Sequence, residues 1–82
     1  MDHQLIFLKQ KRKCALTGEN IYFRNRVSGE QTASIDRINS NEGYSIENIQ
    51  WVHKDVNLMK QNLSEDKLFE ICKQIVEYKK LK

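Results

Sequence analysis

The sequence predicts a small α+β domain in which a β-hairpin packs on a helix, with a further helix at each end. Three observations lead there. The chain has 82 residues, which makes one domain, spanning 1–82, with a modest core. Two short runs, Ile21-Tyr22-Phe23 and Thr32 to Ile38, carry the β-branched, aromatic and alternating character of strands. Behind them, apolar residues recur at three- and four-residue steps, the spacing of helices.

Gln4 to Arg12 bunches its apolar residues at Leu5 to Leu8 and ends in a basic tail, which predicts a short N-terminal helix. Gly18 with Asn20 marks a turn. Ile21-Tyr22-Phe23 follows as the first strand, Val27-Ser28-Gly29-Glu30 as a turn, and Thr32 to Ile38 as the second strand, so the hairpin is expected over about 20–38. Asn39 to Gly43 is polar and ends on a glycine, the chemistry of a loop. Ile49, Val52, Val56 and Met59 then predict a helix within Ile46 to Lys60. Ser64 is a good N-cap, with Glu65 and Asp66 where the helix dipole favours acids. The last helix is expected over about 65–79, with Leu68, Ile71, Cys72 and Ile75 as its buried stripe, joined by Phe69 and Val76. Trp51, Ile35, Val52, Val56 and this helix are expected to pack together.

Apolar residues make up 39% and charged residues 30% of the chain, which excludes a disordered polymer. No apolar run reaches the length of a membrane span. The start carries Asp2 and has no small-residue cleavage site, so the expectation is a cytoplasmic protein without a membrane partner. Cys14 and Cys72 are far apart and form no Cys-x-x-Cys pair, which reads as two free thiols. The formal net charge is +3. It falls in the first half, where Lys9, Lys11, Arg12, Lys13, Arg24, Arg26 and Arg37 outnumber Asp2, Glu19, Glu30 and Asp36. That excess suits a phosphate-facing surface or an ordinary solvated face.

Three polar residues sit where chemistry is possible. Asp36 lies inside a strand-like run, and His53 and Asn57 are four apart in the expected helix, hence on one face. A strand carboxylate opposite an imidazole and an amide oxygen is a workable cation site. The oxygens suit Mg²⁺ or Mn²⁺, and the imidazole extends the choice to Zn²⁺, Ni²⁺ or Co²⁺. The same spacing also occurs on plain solvated helices.

The order of residues adds a resemblance. Ser34-Ile35-Asp36-Arg37-Ile38-Asn39-Ser40, Gly43-Tyr44, Glu47 to Val52 and then Asn57 together resemble the HNH, or ββα-metal, endonuclease family. Asn48 and Asn57 are nine apart, as the middle and last motif residues are there. Cys14-Ala15-Leu16-Thr17-Gly18 looks like the first hairpin strand of bacterial and phage members. The resemblance covers about 14–60. It implies a metal-dependent enzyme hydrolysing DNA phosphodiester bonds. Asp36 and Asn57 would be metal ligands, with His53 as a third, and Asn48 would tie the loop to itself. On this reading Asp36→Ala is expected to abolish cleavage and leave the fold intact. Lys54, in the shared Trp-Val-His-Lys segment, joins the basic residues of the first half as an expected DNA contact.

One departure matters. The family usually places a histidine after the acid as general base, and here that residue is Arg37. Arginine keeps its proton and cannot accept one from water. Arg37 is therefore expected to contact the scissile phosphate, with His53, metal-bound hydroxide or a group outside the motif such as His3 as base. Two rival readings follow: a nucleic-acid-binding module that has lost cleavage, and a small interaction domain that binds no nucleic acid.

Overall fold

The computed structural model describes residues 3–23 and 31–80. Within them the chain runs α1 (His3–Lys9), β1 (Ala33–Arg37), β2 (Ile49–His53), α2 (Lys54–Lys60) and α3 (Glu65–Lys80). β1 and β2 pair antiparallel, with Ala33 opposite His53, Ile35 opposite Trp51 and Arg37 opposite Ile49. The α+β class is as expected, but the hairpin is not the one expected over 20–38. Its strands are β1 and β2, joined by the polar loop at 38–48.

The second strand lies where a helix was expected to begin. Ile49-Gln50-Trp51-Val52 carries apolar residues that matched a helical step only by coincidence. As a strand, Trp51 and Val52 point to opposite faces, and both are buried. A strand covered on both faces reads as a nearly continuous apolar run, which period alone does not separate from a helix. Ile21-Tyr22-Phe23 forms no strand. Lys13 and Asn20 make a single bridge, and the Tyr22 carbonyl accepts the N–H groups of Thr32 and Ala33 at 2.9 and 2.8 Å. The segment lies alongside the start of β1 without extending the sheet. Arg24, Arg26 and the turn expected at 27–30 lie outside the described residues.

One face of the hairpin meets α1. Phe7 and Phe23 pack on Trp51, with centroids 5.8 and 4.9 Å from its ring, in the edge-on geometry aromatic pairs favour. The indole N–H donates to the His3 carbonyl at 2.9 Å, which satisfies its one polar atom. Phe7, Cys14, Ile21, Ala33, Trp51 and Val52 form the buried cluster, with Ile35 and Val56 packed against it.

α1 stops at Lys9 because Lys11 and Arg12 adopt left-handed backbone, with φ of 57° and 60°. This turn places Gln10 on the outer edge of β2. Its side-chain carbonyl accepts the Trp51 N–H at 2.9 Å, and its amide nitrogen donates to the Trp51 carbonyl at 2.9 Å. The Ala15 N–H donates to the same carbonyl at 3.0 Å, so Gln10 and the 13–15 segment together cover the outer edge of β2. Cys14 completes the edge. Its sulfur accepts the His53 N–H at 3.3 Å and the Thr17 N–H at 3.4 Å. Burial raises the affinity of this thiol for its proton, but the donors around it, Thr17 foremost, together hold it below its ordinary value.

α3 begins as expected. The Ser64 hydroxyl accepts the Lys67 N–H at 3.1 Å, an N-cap bond. Its expected buried stripe does not form. Leu68 is buried, Ile71 and Cys72 are half-buried, and Phe69, Ile75 and Val76 are exposed. The helix leans on the domain only through its first turns.

Candidate functional site

The opposite face of the hairpin carries the polar residues. Ser34 and Asp36 alternate with Ala33, Ile35 and Arg37 along β1, so they point away from α1 and toward α2. Asn57 reaches across from α2. Its amide nitrogen donates to the Ser34 hydroxyl at 2.7 Å and to the Ile35 carbonyl at 3.2 Å. Asp36 and Asn57 therefore share one face.

Asp36 is buried, at 4% exposure, and its Oδ2 is heavily engaged. Lys60 Nζ donates to it at 2.6 Å and Gln50 Nε2 at 2.9 Å. The same ammonium donates to the Arg37 carbonyl at 2.6 Å, and Gln50 also donates to Glu65 Oε2 at 3.2 Å. Lys60 itself is fully buried at 0% exposure. A buried ammonium is tolerated only when its donors find acceptors, and here a carboxylate and a carbonyl take two of them.

Sequence reasoning missed Lys60. The stripe Val52, Val56, Met59 pointed to Met59 as the buried member, yet Met59 is 58% exposed and Lys60 takes the inward position. The signal was present: Lys60 is four residues after Val56 and three after Asn57, hence on their face. Its burial also corrects the expectation that Asp36→Ala would leave the fold intact. Asp36 is a structural partner as well as a candidate ligand, and its loss strands the Lys60 ammonium.

His53 is not inside the helix with Asn57, as expected. It ends β2 and caps α2, its Nδ1 accepting the Asp55 N–H at 3.1 Å. Opposite Ala33, it alternates onto the face that carries Trp51, away from Asp36. Arg37, next to Asp36 on the strand, likewise points to the other face. Its guanidinium lies 5.3 Å from the Tyr44 ring centroid and donates to the Glu42 carbonyl at 3.2 Å.

Asn48 is buried at 6% exposure and ties the loop. Its amide nitrogen donates to the carbonyls of Gly43 and Asn39 at 2.8 and 3.0 Å, and its carbonyl accepts the Asn39 N–H at 2.9 Å. Ser40 adds a bond to the Asn62 carbonyl at 3.0 Å, fastening the loop to the turn that follows α2. Lys9, Lys11, Arg12 and Lys13 are exposed around the turn that flanks the outer edge of β2, and Lys54 is exposed at the start of α2.

Among the described residues, no three His, Cys, Asp or Glu side chains converge as a cation site. The donors that do share a face are oxygens, from one carboxylate and one amide. Among the described residues, every side-chain hydrogen bond to the Asp36 carboxylate falls on Oδ2. With the Asn57 nitrogen held by Ser34 and Ile35, the atom it could offer a cation is the carbonyl oxygen. Such a pair fits Mg²⁺ or Mn²⁺, hard ions that take one or two protein oxygens and keep several waters. It offers no nitrogen or sulfur of the kind Zn²⁺ or Ni²⁺ prefers. No family model, curated protein or solved structure matches this chain.

Proposed function

We propose that this chain is a metal-dependent endonuclease of the HNH kind, hydrolysing DNA phosphodiester bonds with Mg²⁺ or Mn²⁺ held by Asp36 and Asn57. The observation that carries this reading is the shared face: a strand acid and a helix amide on one side of a β1–loop–β2–α2 unit, with the loop clipped by Asn48. When bound, the cation would neutralise charge on the phosphate and lower the pKa of a water. The protein's own part is to hold the donors. Gln50 and Lys60 orient Asp36 through Oδ2, and a carboxylate fixed in this way is a better-aimed ligand. Lys9, Lys11, Arg12 and Lys13 attract the DNA backbone.

The test is cleavage of a plasmid with Mn²⁺ against EDTA. Asn57→Ala is expected to remove the metal-dependent activity with circular dichroism unchanged. His53→Asn keeps a good N-cap and is expected to keep cleavage, because His53 points away from Asp36. Equal cleavage by the parent in EDTA, or by Asn57→Ala in Mn²⁺, would falsify the metal assignment.

A second reading is favoured by Lys60. An ammonium 2.6 Å from the acid already supplies a positive charge there, and Arg37 stands where the family's base would be. On that reading the chain binds nucleic acid without cutting it. It predicts salt-sensitive DNA binding with no nicking in any divalent metal.

A further inference from the structure

We propose that α3 is a self-association helix, which packs antiparallel against α3 of a second copy of this chain. The proposal is independent of the nuclease reading. Leu68 is the buried residue of this 16-residue helix. Beyond it the apolar stripe continues with no described residue over it: Phe69 is 48% exposed, Ile75 54% and Val76 50%. Phe69, Cys72, Ile75 and Val76 follow helical spacing, so they form one strip along the helix. Where the strip meets the domain it opens into an apolar groove of about 290 Å³, lined chiefly by Leu16, Val56, Met59, Leu68, Phe69 and Cys72.

The charges along the helix select the occupant. Lys67 with Glu70 and Lys73 with Glu77 pair within the helix, at 4.0 and 3.9 Å. Outside those pairs, the first turn keeps Glu65 and Asp66 and the last turn keeps Lys79 and Lys80. A helix acidic at its start and basic at its end is complementary to itself when reversed. Antiparallel pairing sets Asp66 against Lys79 and Lys80 of the second copy. In that register Phe69 meets the second copy's Val76, and the second copy's Ile75 and Val76 enter the groove.

The midpoint of 65–80 falls between Cys72 and Lys73, so the two Cys72 residues meet near the two-fold axis. Packed helix axes lie about 8–10 Å apart and Cα atoms about 2.3 Å from each axis. Facing Cα atoms are then about 3.4–5.4 Å apart, and the wider part of that span overlaps the disulfide range. Cys14 is buried at 2% exposure and cannot substitute.

The test uses the full chain in analytical ultracentrifugation across a concentration series. The expected result is a reversible species of twice the 9.8 kDa chain mass. Ile75→Glu lies on an exposed position and is expected to keep the circular dichroism spectrum while weakening dimerisation at least about tenfold, because it places an unpaired charge in the contact. Asp66→Lys alone should also weaken it, and adding Lys79→Asp and Lys80→Asp should restore it. Diamide, which takes two protons and two electrons from a thiol pair, should give a Cys72-linked dimer that Cys72→Ser abolishes. A single species of one chain mass at every concentration would overturn the proposal. So would a dimer that Ile75→Glu leaves intact, or one that diamide links only through Cys14.

Discussion

Lys60 is the residue on which the hairpin and α2 both depend. Its ammonium has exchanged water for Asp36 and the Arg37 carbonyl, and such an exchange about breaks even while both partners are present. Removing one is different. Lys60→Met keeps the volume but leaves the Asp36 charge buried without its cation, at a cost of about 3–5 kcal/mol. For a domain this small that is a large share of its stability. A divalent cation is expected to return part of the loss, because it takes over the role of counter-charge and binds only the folded form. The measurement is thermal unfolding of Lys60→Met and of the parent with and without Mn²⁺. A larger Mn²⁺-induced rise in Tm for the variant is expected, and equal shifts would mean that the cation does not sit at Asp36.

At the scale of elements, the 38–48 loop joins the two strands and depends on Asn48. This one side chain supplies two donors and an acceptor to the loop backbone. Asn48→Ala leaves the groups it served unpaired, at a cost of about 1–3 kcal/mol. Arg37 would then lose the firm seat that Glu42 and Tyr44 provide. Faster amide exchange across Asn39 to Gly43, with the β1–β2 ladder still protected, is the expected outcome. Loss of protection throughout the hairpin would mean that the loop and sheet form one cooperative unit. The loop chemistry was legible from Asn39 to Gly43, and the role of Asn48 came from the family resemblance. The pairing of the strands was not legible, because Ile49 to Val52 satisfies a strand and a helix equally well until its two faces are seen to be covered.

For the whole molecule, the distribution of charge decides how it would meet DNA. Lys9, Lys11, Arg12 and Lys13 lie exposed on the turn beside the outer edge of β2, whereas Asp36 and Asn57 lie on the α2 side of the hairpin. On the proposed nuclease reading, binding and chemistry can therefore be separated. Lys11→Ala with Lys13→Ala is expected to weaken DNA binding at every sequence. It should also lower the salt slope of the affinity by about one for each lysine that touches phosphate. Asn57→Ala should leave that slope unchanged. A salt slope near zero for the parent would favour an interaction domain that binds no nucleic acid.

The sequence by itself determined the α+β class, the capped start of the last helix, the polar loop and the short list of polar residues worth watching. These are local properties, carried by side-chain period, turn chemistry and caps. Only the tertiary structure decided which segments pair, which polar residues share a face and which apolar stripe stays open. His53 left the site because a strand ends where a helix was expected to run. Lys60 entered because a carboxylate and a carbonyl from β1 happen to meet it. The stripe on α3 is exposed because no other part of the described chain lies over Ile75 and Val76. Burial depends on what the rest of the chain brings near a residue, and that is a non-local property that no local pattern encodes.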